Sequence, residues 1–451
     1  MKRIVQITVL ILAGEMVFSL PFHTARFFRP TLLDVFGFSN TNLGDVFAVY
    51  GITAMLAYFP GGIIADRLST RSLLSSSLIL TAFGGIYMAT IPSGGRMALL
   101  YGYWGITTIF MFWAAMIKSA REWGGGLSQG KAFGILDGGR GFTAACFAFI
   151  GIAVLALYLP VDATLATDEE RRTGFRSVIL MYSFATGAIG VLTWFLLPAS
   201  TEKSPTLSSG RSVKGAFATL QRPIVWAQAG IILCAYCGYK GLDNYSLYAV
   251  QVLGMNEIDG ARLSAYASYV RPVAAVVAGL LADRYMASRI ISLTFGLLVA
   301  SFGILSVATP TSDWLILIFT NIFVSAFAVF ALRGIYFALL EETKTPRNVT
   351  GTTVGIVSFV GFTPEIFFAP ITGRILDAAP GVPGHQNYFL FLAAIASVGL
   401  AVVVFLVRTN KRPSSARITG TSIASKPVVG DASKKSISPR GRTSNAQINR
   451  G

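Results

Sequence analysis

Apolar positions in this chain gather into long runs separated by short polar breaks. Each run approaches the ~20 residues that a helix needs to cross a bilayer. The runs fall at 4–28, 43–65, 72–92, 97–120, 131–158 and 175–198, and again at 223–250, 262–282, 289–308, 313–340, 349–373 and 386–408. The alternation in segments of ~10 residues that marks a membrane barrel is missing. The pattern predicts an all-α polytopic membrane protein with twelve transmembrane helices. A polar, Ser-rich, basic stretch parts the runs into two sets of six. The expected organisation is therefore a bundle over 1–198, a linker over 199–222 and a second bundle over 223–408. Residues 409–451 form a Ser/Thr/Gly-rich tail with nine Lys/Arg against the single Asp431, a composition that predicts disorder.

Composition narrows the class further. The chain is 53% hydrophobic and 13% charged, with a mean hydropathy of +0.62. Soluble domains carry about a quarter charged residues, so too little charge is present to cover a water-facing surface. The net charge of +16 does not indicate a nucleic-acid partner, because the bases sit in short loops and in the tail. Arg67, Arg71, Arg121, Lys131, Lys203, Arg211, Lys214, Arg222, Arg284, Arg289, Lys344 and Arg347 all fall on one side of the alternating spans. The positive-inside bias makes that side, with both termini, cytoplasmic, and a bacterial inner membrane is the expected location. Arg26, Arg29, Arg96, Arg262 and Arg374 fall on or near the outer face. Cys234 and Cys237 form a lone C-x-x-C inside an apolar run, where packing is the expected role. With His23 and His385 the only histidines, no metal centre, cofactor site or catalytic constellation is expected.

One phrase occurs twice. GGIIADRLST at 61–70 and AGLLADRYMA at 278–287 are spaced by 217, which pairs Gly62 with Gly279 and Asp66 with Asp283. The same offset pairs Gly37 with Gly254 and His23 with Lys240. Two related halves of six spans are a mark of secondary transporters. The repeat also bears on the N-terminus: MKRIVQITVLILAGEMVFSLP has the look of a signal peptide, but it partners span 7 and is expected to stay.

Gly62, Asp66, Arg67 and Arg71 resemble the signature loop between the second and third helices of the major facilitator superfamily. Ser69 stands where the family has Gly, and Thr70 where it has a base. The second copy keeps Gly279, Asp283 and Arg284. The resemblance implies two pseudo-symmetric six-helix bundles, a small-molecule solute, alternating access and a monomer. A small residue at Gly62 is expected to let helices approach closely in lipid. Asp66 could cap a helix or pair with a base as a gate latch; a topology-setting turn is the plainer reading.

Charges inside the spans are costly, at least ~2.5–3.5 kcal/mol each, and are functional candidates. They are Glu15, Lys118, Asp137, Arg140, Lys240, Asp243, Arg271, Arg333 and Glu365. Lys118, Asp137 and Arg333 lie towards one end of their spans and are expected to form a structural charge network. Asp137 with Arg140, and Lys240 with Asp243, are i,i+3 neighbours that could pair within a helix. Arg140, Lys240 and Arg271, with His23 more weakly, are candidate substrate-binding residues, since Arg captures carboxylate or phosphate bidentately. Glu15 and Glu365 are candidate proton carriers or fixed partners of a base; Glu365 follows Pro364, where a kink is expected. The stretch SQGKAFGILDGGRGF (128–142) lacks the ending of a P-loop, and its glycines at 134, 138, 139 and 141 suggest helix packing instead. It resembles the corresponding region of organophosphate and organic-anion porters, whose paired Arg residues on helices 1 and 7 correspond here to His23 and Lys240. The expected function is secondary active transport of a small organic anion, by proton symport or exchange. The alternative is a proton-coupled exporter of lipophilic compounds.

Overall fold

The computed structural model describes residues 2–124, 129–198, 221–343 and 350–410. Most of the expected linker, the whole tail from 411, and Lys203, Arg211, Lys214, Lys344 and Arg347 lie outside the described residues. Among those described, every regular element is helical.

Among the described residues twelve helical segments, some of them broken, follow one another; nine are long and apolar enough to cross a membrane, or ten with the bent first pair counted as one. The first half comprises α1 (Lys2–Met16, continuing through Ser19–Phe27), α2 (Asn40–Arg67), α3 (Thr70–Met88), α4 (Gly94–Gly124), α5 (Gln129–Ala156) and α6 (Asp168–Leu196). The second half comprises α7 (Pro223–Gly241, continuing through Tyr245–Gln251), α8 (Glu257–Tyr285), α9 (Ala287–Val307), α10 (Ser312–Ile335), α11 (Thr350–Gly361 and Pro364–Ala378) and α12 (Val382–Asn410). Leu56, Phe59 and Ile316, at 72%, 81% and 81% exposure, turn outward, as residues solvated by hydrocarbon do.

The spacing of 217 is visible as geometry. Ser39 caps α2 by accepting from the Asn42 amide, and Asn256 caps α8 by accepting from the Asp259 amide. Just before these caps, Gly37 and Gly254 have φ of 62° and 66°, the left-handed turn that glycine makes without a Cβ penalty. The same turn–cap–helix phrase therefore starts the second span of each half.

Each half has its own core. Tyr101, Trp104, Phe112, Phe175 and Tyr182 belong to the first, and Tyr248, Phe295, Phe302, Tyr388 and Phe389 to the second. The halves meet along α2 with α11 and α5 with α8. A Cβ at Gly44 would lie 2.5 Å from the Ala369 carbonyl oxygen, and one at Gly51 or Gly373 would strike the Glu365 or Asn40 backbone. Polar contacts hold this end too. Asp377 accepts from the amides of Asn40 (3.1 Å) and Thr41 (2.7 Å), so an acid of α11 caps α2 across the seam. Glu257 at the start of α8 accepts from Thr31 Oγ1 and Arg171 Nε, both at 2.7 Å.

The opposite end, which carries Arg67 and Arg284, corrects one expectation. Gly62 and Gly279 have nothing within 4 Å of an added Cβ, so neither brings helices together in this conformation. Gly134 and Gly138 are equally open, whereas Gly139 abuts Ile11 and Gly141 the Arg271 side chain. Asp66 and Asp283 are exposed, and among the described residues neither has an ion-pair partner within 4.0 Å. Arg71 lies over the Trp194 ring and Arg284 over Tyr285. The physical reason is that, among the described residues, the tight backbone approach between the halves lies at the other end and along α2 with α11. The close-approach glycines therefore sit at Gly44, Gly51 and Gly373.

Candidate functional site

Between the halves lies a cavity of about 810 Å³, open solvent at its mouth included. Breaks in the helices shape it. α1 bends by 44° between Met16 and Ser19 and continues as a π-helical turn over Ser19–His23; a second π-helical stretch, Ile106–Trp113, interrupts α4. Such turns free backbone and re-aim side chains, and they concentrate at functional sites. α11 breaks before Pro364, which starts its second segment without an amide to lose and sets Glu365 in that segment's first turn. The expected kink at Pro364 is thus present. Phe18, Phe22, Tyr50, Tyr58, Trp113, Tyr236, Tyr239 and Phe362 line the cavity, among Glu15, His23, Arg26, Arg140, Lys240, Arg333 and Glu365.

The charges form two nodes. In the first, Glu15 lies 3.0 Å from Arg140 Nε, 3.1 Å from His23 Nε2 and 3.9 Å from Arg271 Nη1. Arg140 Nε also donates to the Gly14 carbonyl at 3.0 Å, and Arg271 donates to Asp137. In the second, Asp243 accepts from Arg26 Nε at 2.6 Å and sits 3.2 Å from Lys240 Nζ, which in turn lies 3.3 Å from Glu365. The Tyr236 hydroxyl donates to Glu365. Both nodes cross the seam, since Arg271 reaches from α8 to acids of α1 and α5, and Arg26 reaches from α1 to Asp243. Lys240 Nζ stands 4.5 Å from the Phe22 ring centre, and Arg333 lies over the Tyr239 ring at 3.8 Å. Burying charge is repaid only when partners and hydrogen bonds replace water, which is why acids and bases interleave here.

Of the sequence-expected residues, the cavity gathers Glu15, His23, Arg140, Lys240 and Glu365. Arg271 stands behind this wall, on Glu15 and Asp137. The expected network of Lys118, Asp137 and Arg333 is not assembled. Lys118 Nζ donates to the Ala65 carbonyl at 3.2 Å, Asp137 is taken by Arg271, and Arg333 faces the cavity. The helical pair of Asp137 with Arg140 is absent because Arg140 reaches across to Glu15, whereas Lys240 and Asp243 do pair. Arg26, expected near the outer face, is buried on Asp243 because the bend in α1 turns it inward. Its signal was present in the sequence: Arg26 and Asp243 are themselves 217 apart, so the two meet as equivalent positions across the pseudo-two-fold. The aromatic lining carried no such signal. Among the described residues no group of three His, Cys, Asp or Glu is placed to hold a metal ion.

Comparison with known proteins places this geometry. A family model described as Major Facilitator Superfamily matches residues 11–369. The chain is 27% identical over 414 residues to the inner membrane protein YqcE of Escherichia coli, covering 89% of this chain and 93% of that one. It is 25% identical over 389 residues to the probable nitrate/nitrite antiporter NarK1 of Thermus thermophilus, covering 80% and 83%. Among solved structures, the nucleoside transporter NupG superposes with a TM-score of 0.70 at 12% identity, covering 90% of this chain and all of that one.

Proposed function

The chain belongs to the major facilitator superfamily, and from that premise we propose that it moves a small organic anion across the membrane by alternating access. As a member it is a multi-pass integral membrane protein and a secondary transporter, not an enzyme. The observation that carries the anion reading is the cavity wall: Arg26, Arg140, Lys240 and Arg333 converge from α1, α5, α7 and α10, of both halves. The name of NarK1 as a probable nitrate/nitrite antiporter is in keeping with an anion.

Arg140, Lys240 and His23 are the proposed substrate contacts, with Arg271 holding Glu15 and Asp137 in place. Glu15 and Glu365 are the proposed proton carriers. Each holds a base, Arg140 and Lys240 respectively, so protonating the acid removes one counter-charge from that base and favours an anion in its place. Proton and anion then bind together, which is the logic of symport. Gly62, Asp66, Arg67, Arg71, Gly279, Asp283 and Arg284 are the proposed gate at the open end, closing when the Asn40 end unzips. Arg67, Arg71, Arg121, Arg284 and Arg289 gather at that end, which makes it cytoplasmic in this reading, and the protein works as a monomer.

Uptake into proteoliposomes tests this. Arg140→Glu or Lys240→Glu is expected to abolish transport of the organic anion that wild type carries, and wild-type-like uptake in both rejects the anion reading. Glu365→Gln is expected to leave residual uptake insensitive to the proton gradient. The second reading, a proton-coupled exporter of lipophilic compounds, draws on the Phe18, Phe22, Trp113 and Phe362 lining. Dye retention that rises on deletion of the gene, with no anion uptake in proteoliposomes, decides for it.

A further inference from the structure

We infer that the cargo is a ring-bearing organic anion carrying a single negative charge, and that Arg333 is the residue its anionic group docks on. The inference rests on the anion reading above and deepens it. Each of the four carboxylates in the two nodes is held by at least one base. Of the five bases there, Arg333 alone has no carboxylate within 4.0 Å among the described residues. Its Nη1 is buried and makes no hydrogen bond. Asp137 acts on it from further away, but that carboxylate is already taken by Arg271. Four ionised carboxylates against five bases therefore leave one positive charge uncompensated, that of Arg333, and a guanidinium offers a fork of donors matched to one carboxylate or similar group.

The surroundings say what the rest of the ligand is. The Arg333 guanidinium lies 3.8 Å from the centre of the Tyr239 ring, and Arg26 lies 4.6 Å from the same centre. Tyr58, Trp113, Tyr236 and Phe362 line the same cavity. Aromatic faces stack on flat rings, and tyrosine hydroxyls can hydrogen-bond a polar ring substituent. While Glu15 and Glu365 are both ionised, a dianion leaves one charge unmatched in the cavity, and a neutral analogue leaves Arg333 unmatched.

Two measurements on the purified full-length protein test this. The first needs no ligand. In thermal unfolding, Arg333→Gln is expected to melt at or above wild type, because it removes an uncompensated charge, whereas Arg140→Gln and Arg26→Gln, which orphan a buried acid, melt below it. Arg333→Gln melting as low as Arg140→Gln would show a structural pairing and overturn the inference. The second is binding, followed by thermal shift at about pH 8, of two matched ring series: benzamide, benzoate and phthalate, and glucose, glucuronate and glucose 6-phosphate, whose phosphate is then a dianion. The monoanion of at least one series is expected to bind tenfold or more tightly than its neutral and dianionic partners. Arg333→Gln should weaken the monoanion roughly 30-fold or more, the scale of losing a buried charge pair, and leave the neutral member unchanged, while Arg333→Lys retains part of the affinity. Preference for the dianions, still dependent on Arg140 and Lys240, overturns the single charge while leaving the anion reading in place. Binding of neutral members alone, or of no anion in either series, overturns both.

Discussion

Arg26 and Asp243 show what a single pair decides. They occupy equivalent positions of the two halves and meet at 2.6 Å, so one ion pair ties α1 to α7 at the centre of the molecule. Removing one partner of a buried pair leaves a stranded charge, typically costing about 3–5 kcal/mol, whereas replacing both is close to neutral. Arg26→Gln and Asp243→Asn are each expected to lower the melting temperature clearly, and the double variant to recover most of the loss. Two additive losses would show that the pair is not the unit. Lys240 complicates the cycle usefully, because it shares Asp243. In Arg26→Gln that lysine keeps its acid, so this variant is expected to be the milder of the two.

At the scale of elements, the seam of α2 with α11 is closely packed in this structure, and the proposed exchange has to open it. Gly44, Gly51 and Gly373 let backbone approach backbone there, which no side chain allows. An added side chain must be accommodated by overpacking, costing about 1–3 kcal/mol. Gly51→Leu loads that cost onto the closed state only, since the halves part at this seam in the proposed opposite state. The expected outcome is a shift of roughly fivefold to a hundredfold towards opening at the Asn40 end. It can be read as faster thiol labelling of a cysteine placed at Asp45, with uptake reduced and folding retained. Unchanged labelling would mean that the seam does not move. Asp377→Ala removes the cap on α2 and is expected to push the same equilibrium in the same direction, less strongly.

Over the whole molecule, alternating access demands that the two ends exchange accessibility. Here the Asn40 end is zipped while Asp66, Asp283 and Gly62 stand free. Cysteines introduced at Gly62 and at Ala369, which packs across the seam against the first half's core, in a background lacking Cys146, Cys234 and Cys237, are expected to respond oppositely when a transported anion and protons are added. Gly62→Cys should become protected and Ala369→Cys exposed. Parallel changes at both would contradict a rocking exchange. In the proposed mechanism the nodes couple binding to the exchange, because each links the halves through charge that a cargo anion or a proton would replace.

The sequence by itself determined the twelve spans, their division into two related sets and the list of charges that lipid will not tolerate. These follow from local rules: apolar length, a repeated turn and cap, and the cost of burying charge. Tertiary structure alone decided which acid meets which base. Glu15 takes Arg140, Asp137 takes Arg271, and Arg333 is left with an aromatic ring, because helix breaks at Met16–Ser19 and Pro364 turn side chains by amounts that no periodicity encodes. It likewise decided that Gly44, Gly51 and Gly373, rather than Gly62, carry the close approach. Contact between helices depends on which end of the bundle is shut, and that is a property of the assembled halves.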